Sequence, residues 1–148
     1  MKILIVAAEA VPFAKTGGLA DVAGVLPKEL AKLGHEVRVV MPRYWGVDRG
    51  ALRPVGGPLG VPMGIIGTLW GAVLEGRLPG SDVPVWFIDY EQYFGRKHPY
   101  NEPDGTGYQD NDNRFVFLSR AALEAAKMLA FAPDVVHVHD WHTAAVPV

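Results

Sequence analysis

Ile3-Leu4-Ile5-Val6-Ala7-Ala8 is followed, after Glu9 to Ala14, by Lys15-Thr16-Gly17-Gly18-Leu19-Ala20-Asp21-Val22. The order is apolar strand, short loop, helix. The run over residues 2–8 does not alternate, as expected of a parallel strand covered on both faces. Leu19, Val22, Leu26, Leu30 and Leu33 then recur at three- and four-residue steps, which predicts the buried face of a helix. Pro27 predicts a kink or a fresh helical start, and Gly34 a C-terminal cap. Val37 to Met41 reads as a second strand stopped by Pro42. The unit is β-α-β, with a right-handed crossover.

Working outward, the stretch from Pro42 to Pro84 is rich in Gly and Pro. Within it, 67–74 and 83–88 read as strands joined by a turn at Pro79-Gly80-Ser81-Asp82. Residues 89–112 are polar, too long for an idle connection, and carry Tyr90, Tyr93, Phe94, Tyr100 and Tyr108. Those aromatics predict an ordered binding lid. Asn113 to Ala130 reads as a helix with Phe115, Leu118, Ala122, Ala125 and Leu129 inward and an Arg120–Glu124 pair outward. Asp134 to His139 reads as another buried strand, and Asp140 onward as the first turn of a helix. Alternating strands and helices predict an α/β fold: a Rossmann-like, doubly wound, mostly parallel sheet forming one domain over residues 1–148. Such sheets bind ligands beyond the carboxyl ends of their strands, where both the Lys15 loop and His139-Asp140 fall.

Composition narrows the function. Lys and Arg number 14 against 16 Asp and Glu, a net charge of −2, so no broad basic face advertises nucleic acid or an anionic membrane. There is no cysteine, which removes disulfides, thiolate zinc and cysteine nucleophiles and fits a cytoplasmic protein. No apolar run approaches the roughly 20 residues of a membrane span, and the N-terminal run is too short for a signal peptide.

Lys15-Thr16-Gly17-Gly18 before a helix has the parts of an anion site. Glycines admit close backbone approach, first-turn N–H groups and the helix dipole favour negative charge, and Lys15 adds a full charge. A Walker A loop is absent, because Lys15-Thr16 precedes the glycines. The dinucleotide fingerprint fails too: the glycines are 17, 18 and 24, and Pro42-Arg43 stands where a ribose-binding acid belongs. A diphosphate-bearing ligand remains, against a plain tight turn with a solvated lysine.

His137-Val138-His139-Asp140-Trp141-His142 admits three readings: backbone-bonded buried histidines, a metal site, or a polar substrate site. His137 and His139 share one strand face, and a bend is needed to bring Asp140 to the same side. A carboxylate there accepts hydrogen bonds from sugar hydroxyls, with Trp141 packing in support. Tyr108-Gln109-Asp110-Asn111-Asp112-Asn113-Arg114-Phe115 reads first as a helix start with acids placed for the dipole.

These segments carry a resemblance. Glu9 to Val25, Tyr108 to Glu124 (Asp-Asn-x-x-Arg-Phe, then Ser-Arg-Ala-Ala-Leu-Glu) and Asp134 to Thr143 (Asp-Val-Val-His-Val-His-Asp-Trp-His-Thr) are similar to bacterial glycogen synthases and plant starch synthases. The resemblance implies a glycosyltransferase of two Rossmann-like domains with its active site between them. It implies retaining transfer of glucose from ADP-glucose to the non-reducing end of an α-1,4-glucan, with no metal or other cofactor. Lys15 would meet the donor diphosphate with Gly17 and Gly18 beside it, and Asp21 would lie near the donor. Asp140, the catalytic candidate, would bind sugar hydroxyls at the transfer centre next to His139. Tyr100 in His98-Pro99-Tyr100 would lie near the sugar. The family's catalytic histidine and its C-terminal nucleotide-binding domain have no counterpart in the 148 residues, which implies an N-terminal part, inactive alone. Other classes stay open on the residues themselves: a non-catalytic carbohydrate- or nucleotide-binding module, or a metal-dependent hydrolase using His137, His139 and His142.

Overall fold

The computed structural model describes residues 1–148. The N-terminal unit is present as β1 (Lys2–Val6), α1 (Gly18–Lys32) and β2 (Glu36–Pro42). Next come β3 (Arg53–Pro62), β4 (Thr68–Arg77), β5 (Pro84–Asp89), α2 (Glu91–Phe94), α3 (Asn111–Met128) and β6 (Val135–Val138). They form one six-stranded sheet in the order β3-β4-β5-β2-β1-β6. β5, β2, β1 and β6 run parallel, while β3 and β4 are an antiparallel extension. The connection from β1 to β2 and that from β5 to β6 leave in opposite directions. With right-handed crossovers, α1 and α3 therefore lie on opposite faces. The switch point of the winding is the β1–β6 pair, so its carboxyl end is where a ligand crevice belongs.

Leu4, Ile5, Val6, Ala7 and Ala8 are fully buried, as the unbroken apolar run predicts. Each large aliphatic so buried contributes about 1.5–3 kcal/mol. Gly34, with φ of 89°, ends α1 as expected.

Several expectations are corrected. α1 is one continuous helix with Pro27 inside it. Its buried residues are Ala20, Ala23, Gly24 and Pro27, whereas Val22 is 49% and Leu33 74% exposed. The reason is close backbone packing: Val11 donates its N–H to the Ala20 carbonyl (3.0 Å), and a Cβ on Gly24 would collide with Val11. Small residues therefore make the fully buried face, while Leu30 packs on the core from its margin and Leu19 and Leu26 are half-buried.

β3, hidden in Arg53-Pro54-Val55-Gly56-Gly57-Pro58-Leu59-Gly60-Val61-Pro62, is the edge of the hairpin, with a register shift between Val55 and Leu59. Prolines are tolerated at an edge and at bulges. Residues 89–112 hold α2, and Phe94 is buried while Tyr90 and Tyr93 pack on the core. Tyr100 packs on the core as well, so most of the expected lid is core, and Tyr100 also reaches the site described below. α3 starts at Asn111, and Arg120 donates to the Pro62 carbonyl (3.0 Å) while Glu124 pairs with Lys127 (2.8 Å). β6 pairs only with β1, and Val135, Val136 and His137 are exposed, so it is an open edge and not a covered strand. The segment after Asp140 is a 3₁₀ turn, Trp141–Thr143. No helix is long and apolar enough to cross a membrane.

Candidate active site

The site is built at the carboxyl ends of β1 and β6. After β1 the chain stays buried through Ala8, whose carbonyl accepts from the Tyr44 hydroxyl (2.7 Å). Glu9 is 2% exposed, and its Oε2 accepts from both the N–H (2.9 Å) and the hydroxyl (2.7 Å) of Thr16. That carboxylate fastens the Lys15-Thr16-Gly17-Gly18 loop from beneath. A lone acid at the end of an apolar strand was its only signal in the sequence.

Gly17 is the N-cap of α1 and contributes no side chain. A Cβ on Gly17 or Gly18 would meet nothing within 4 Å, so the space in front of the loop is open to a ligand. Lys15 does not hang free over the glycines: its Nζ donates to both Asp21 oxygens, each at 2.9 Å. Both side chains are half-exposed, and pairs of that kind contribute about 0–1 kcal/mol. The pair can therefore open at small cost.

Across the switch point, β6 leads into His139 and Asp140. His137 and His139 lie on one face, as period-two geometry predicts, with parallel rings 4.5 Å apart. The bend needed at Asp140 is there: φ is 62° and ψ −176°. A non-glycine residue in such a region costs about 1–3 kcal/mol and is held by its surroundings. Thr143 does the holding, its Oγ accepting from His139 N–H (2.8 Å) and donating to the His139 carbonyl (2.7 Å). No group of three or more His, Asp or Glu side chains is arranged to hold a metal ion.

Tyr100 supplies the third wall. Its ring stacks on His142 at 4.5 Å and lies 6.2 Å from Trp141, and its hydroxyl sits beside Glu9 and Thr16. The structure therefore brings Tyr100 to the segments containing Lys15 and Asp140. The Tyr100 hydroxyl, His139 Nε2 and His142 Nδ1 are buried without a hydrogen-bond partner in the chain. Arg114 Nη2 and Ser119 Oγ are likewise buried and unpartnered, so such atoms are not confined to this wall.

Burial lowers the pKa of His142, and burial together with the neighbouring His137 lowers that of His139. Burial, with Glu9 alongside, raises that of the Tyr100 hydroxyl. All three are uncharged at neutral pH and act as dipoles. The two histidines have a thermodynamic signature. Just below the ordinary imidazole value near 6.5 the unfolded chain takes up more protons than the folded one, so stability rises with pH across that window. The urea midpoint of the chain is expected to fall from pH 7 to pH 5, and His142→Gln to flatten part of that slope. Equal midpoints at the two pH values would contradict neutral, buried histidines.

With this geometry in place, comparison with known proteins identifies the family. The model for the starch synthase catalytic domain matches residues 2–148. Glycogen synthase 1 of Geobacter metallireducens is 61% identical over 150 residues, and that of Geobacter sulfurreducens 62%. Each alignment covers all of this chain and 30% of the relative, so the chain spans about a third of the length of these curated relatives. The solved catalytic domain of starch synthase IV from Arabidopsis thaliana, bound to ADP and acarbose, superposes with a TM-score of 0.81 at 33% identity. That match covers 97% of this chain and 29% of that one. By the family match along its whole length, and by its likeness to these synthases in sequence and fold, the chain belongs to the starch synthase catalytic domain family.

Proposed function

We propose that residues 1–148 form the N-terminal wall of a glycogen synthase active site. The enzyme transfers glucose from ADP-glucose to the non-reducing end of an α-1,4-glucan, with retention of configuration. The observation that carries this reading is the convergence of the Lys15 loop, Tyr100 and the bent His139-Asp140 segment at the β1–β6 switch point. Leaving-group departure builds negative charge on the diphosphate. Lys15 and the amides at Gly17 and Gly18 offer a preorganised cation and dipoles against it, with Asp21 releasing the lysine as the donor arrives. Asp140, held by its strained turn, accepts hydrogen bonds from sugar hydroxyls at the transfer centre, flanked by His139 and Tyr100. A second Rossmann-like domain, carried by the rest of the polypeptide, supplies the nucleotide-binding half. A nucleotide-sugar donor also implies a cytoplasmic place of action.

The test compares glucose transfer to a maltooligosaccharide by the 148-residue chain and by the complete polypeptide. The complete enzyme is expected to turn over ADP-glucose, and the chain alone to show weak ligand binding and no transfer. Transfer by the chain alone would refute the need for a second domain. No transfer by either would leave a binding module as the better reading.

A further inference from the structure

Arg114 is the largest wholly buried side chain of the molecule, and no carboxylate pairs with it. An uncompensated buried cation costs several kcal/mol, so its position calls for a reason. Burial lowers its pKa accordingly. Its Nε and Nη1 go to acceptors on three separate segments, while Nη2 is buried without a partner. Nε donates to the Tyr93 carbonyl (2.7 Å), while Nη1 donates to the Pro99 carbonyl (2.9 Å) and to Asn111 Oδ1 (2.7 Å). The guanidinium also lies over the rings of Tyr108 at 4.9 Å and Phe115 at 5.1 Å. Asn111, so oriented, donates its Nδ2 to the Tyr100 carbonyl at 2.9 Å, and Tyr108 N–H donates to the same carbonyl at 3.1 Å. The two consecutive carbonyls of Pro99 and Tyr100 are thus both held from the first turn of α3. The ring they carry is the one stacked on His142, with its hydroxyl beside Glu9 and Thr16.

We propose that Arg114 and Asn111 are positioning residues: a clamp on the Pro99-Tyr100 backbone that sets the Tyr100 ring against His142 and its hydroxyl beside Glu9 and Thr16, behind the Lys15 loop. The inference rests on the functional reading above and gives the Asp110-Asn111-x-x-Arg114-Phe115 motif a task beyond starting a helix. Arginine is required because a planar fork reaches several fixed carbonyls at once, whereas a lysine ammonium offers no such fork.

Two measurements test it. In the 148-residue chain, NMR ring signals of Tyr100 and His142 are expected to shift in Asn111→Ala and in Arg114→Lys, while those of His137 stay in place. Asn111 is only partly buried, so its alanine variant keeps the fold if the arginine variant does not. Unchanged Tyr100 signals in folded variants would overturn the clamp. In the complete synthase each variant is expected to raise the KM for ADP-glucose about tenfold, ~1.4 kcal/mol, with kcat within about twofold. In a Tyr100→Phe background the same changes are expected to add less than about twofold, because the hydroxyl they position is gone. Fully additive effects would show a general structural role and overturn the proposal. If the unmodified complete enzyme transfers no glucose, the functional reading falls, and the NMR measurement still decides the clamp.

Discussion

Lys15→Ala in the complete synthase is expected to lower kcat/KM for glucose transfer from ADP-glucose by about 10²–10³-fold, the loss typical of one preorganised donor at a developing oxyanion. The loss belongs in kcat/KM because the diphosphate gains charge as the glucosyl bond breaks. In the resting chain Lys15 is paired with Asp21 at 2.9 Å, and both side chains are half-exposed. That pair contributes at most about 1 kcal/mol to stability. The same substitution should therefore leave the urea midpoint of the chain almost unmoved. A large activity loss with unchanged stability is what distinguishes a ligand-facing lysine from a structural one. Near-normal kinetics would remove Lys15 from the donor site. Lys15→Arg keeps the charge but not the compact ammonium, and should recover only part of the rate.

Asp89→Ala is expected to destabilise the chain by about 3–5 kcal/mol, the cost of leaving a buried charge without its partner. Arg43 stands at the end of β2 and is 5% exposed. Its Nε donates to Asp89 (3.0 Å), its Nη2 to Glu91, and its Nη1 to the carbonyls of Tyr44 and Val47. Arg49 bridges both acids at 2.9 Å. Asp89 is the well-buried acid of the network, while Glu91 is more than half exposed and partly screened by water. A change of this size is a large fraction of a typical total of about 5–15 kcal/mol. Denaturant unfolding of the chain at pH 7 measures it. A shift below about 1 kcal/mol would mean that Glu91 alone satisfies Arg43.

The position of Arg43 shows how far the sequence could be read. Pro42-Arg43 in place of a ribose-binding acid argued against a dinucleotide site, and in the structure Arg43 is spent on an internal ion network that no local pattern announced. Local signals carried the β1–loop–α1–β2 unit, because an unbroken apolar run and a Gly-Gly loop each have one dominant physical reading. The buried face of α1 was not legible. Periodicity weighs leucines and valines, but Ala20, Ala23 and Gly24 face inward because the chain at Val11 passes too close for anything larger. β3 was missed because Gly and Pro mark turns in isolation, and only pairing with β4 makes an edge strand of them.

Of the candidate site, the Lys15 loop and the His139-Asp140 segment could be singled out by residue type and place, whereas a place for Tyr100 near the sugar came only from the family resemblance. Glu9, Asn111 and Arg114 were not, because what each holds is set by the folded loop around it and not by any local pattern. The tyrosines of 89–112 suggested a lid for the same reason: an aromatic side chain reads alike whether it caps a ligand or, like Tyr93, fills the core.

Glu9 beneath the loop has one more consequence. A phosphate cradle normally presents its first free amides to the ligand, but here the amide and hydroxyl of Thr16 are already consumed by a carboxylate. The floor of the cradle is therefore anionic before any ligand arrives. In the donor site proposed above, a diphosphate would meet repulsion from below and attraction from above, which favours the outer rim against Gly17, Gly18 and the lysine. On that proposal the buried acid would act as a depth stop, fixing how far the donor enters relative to Tyr100 and Asp140.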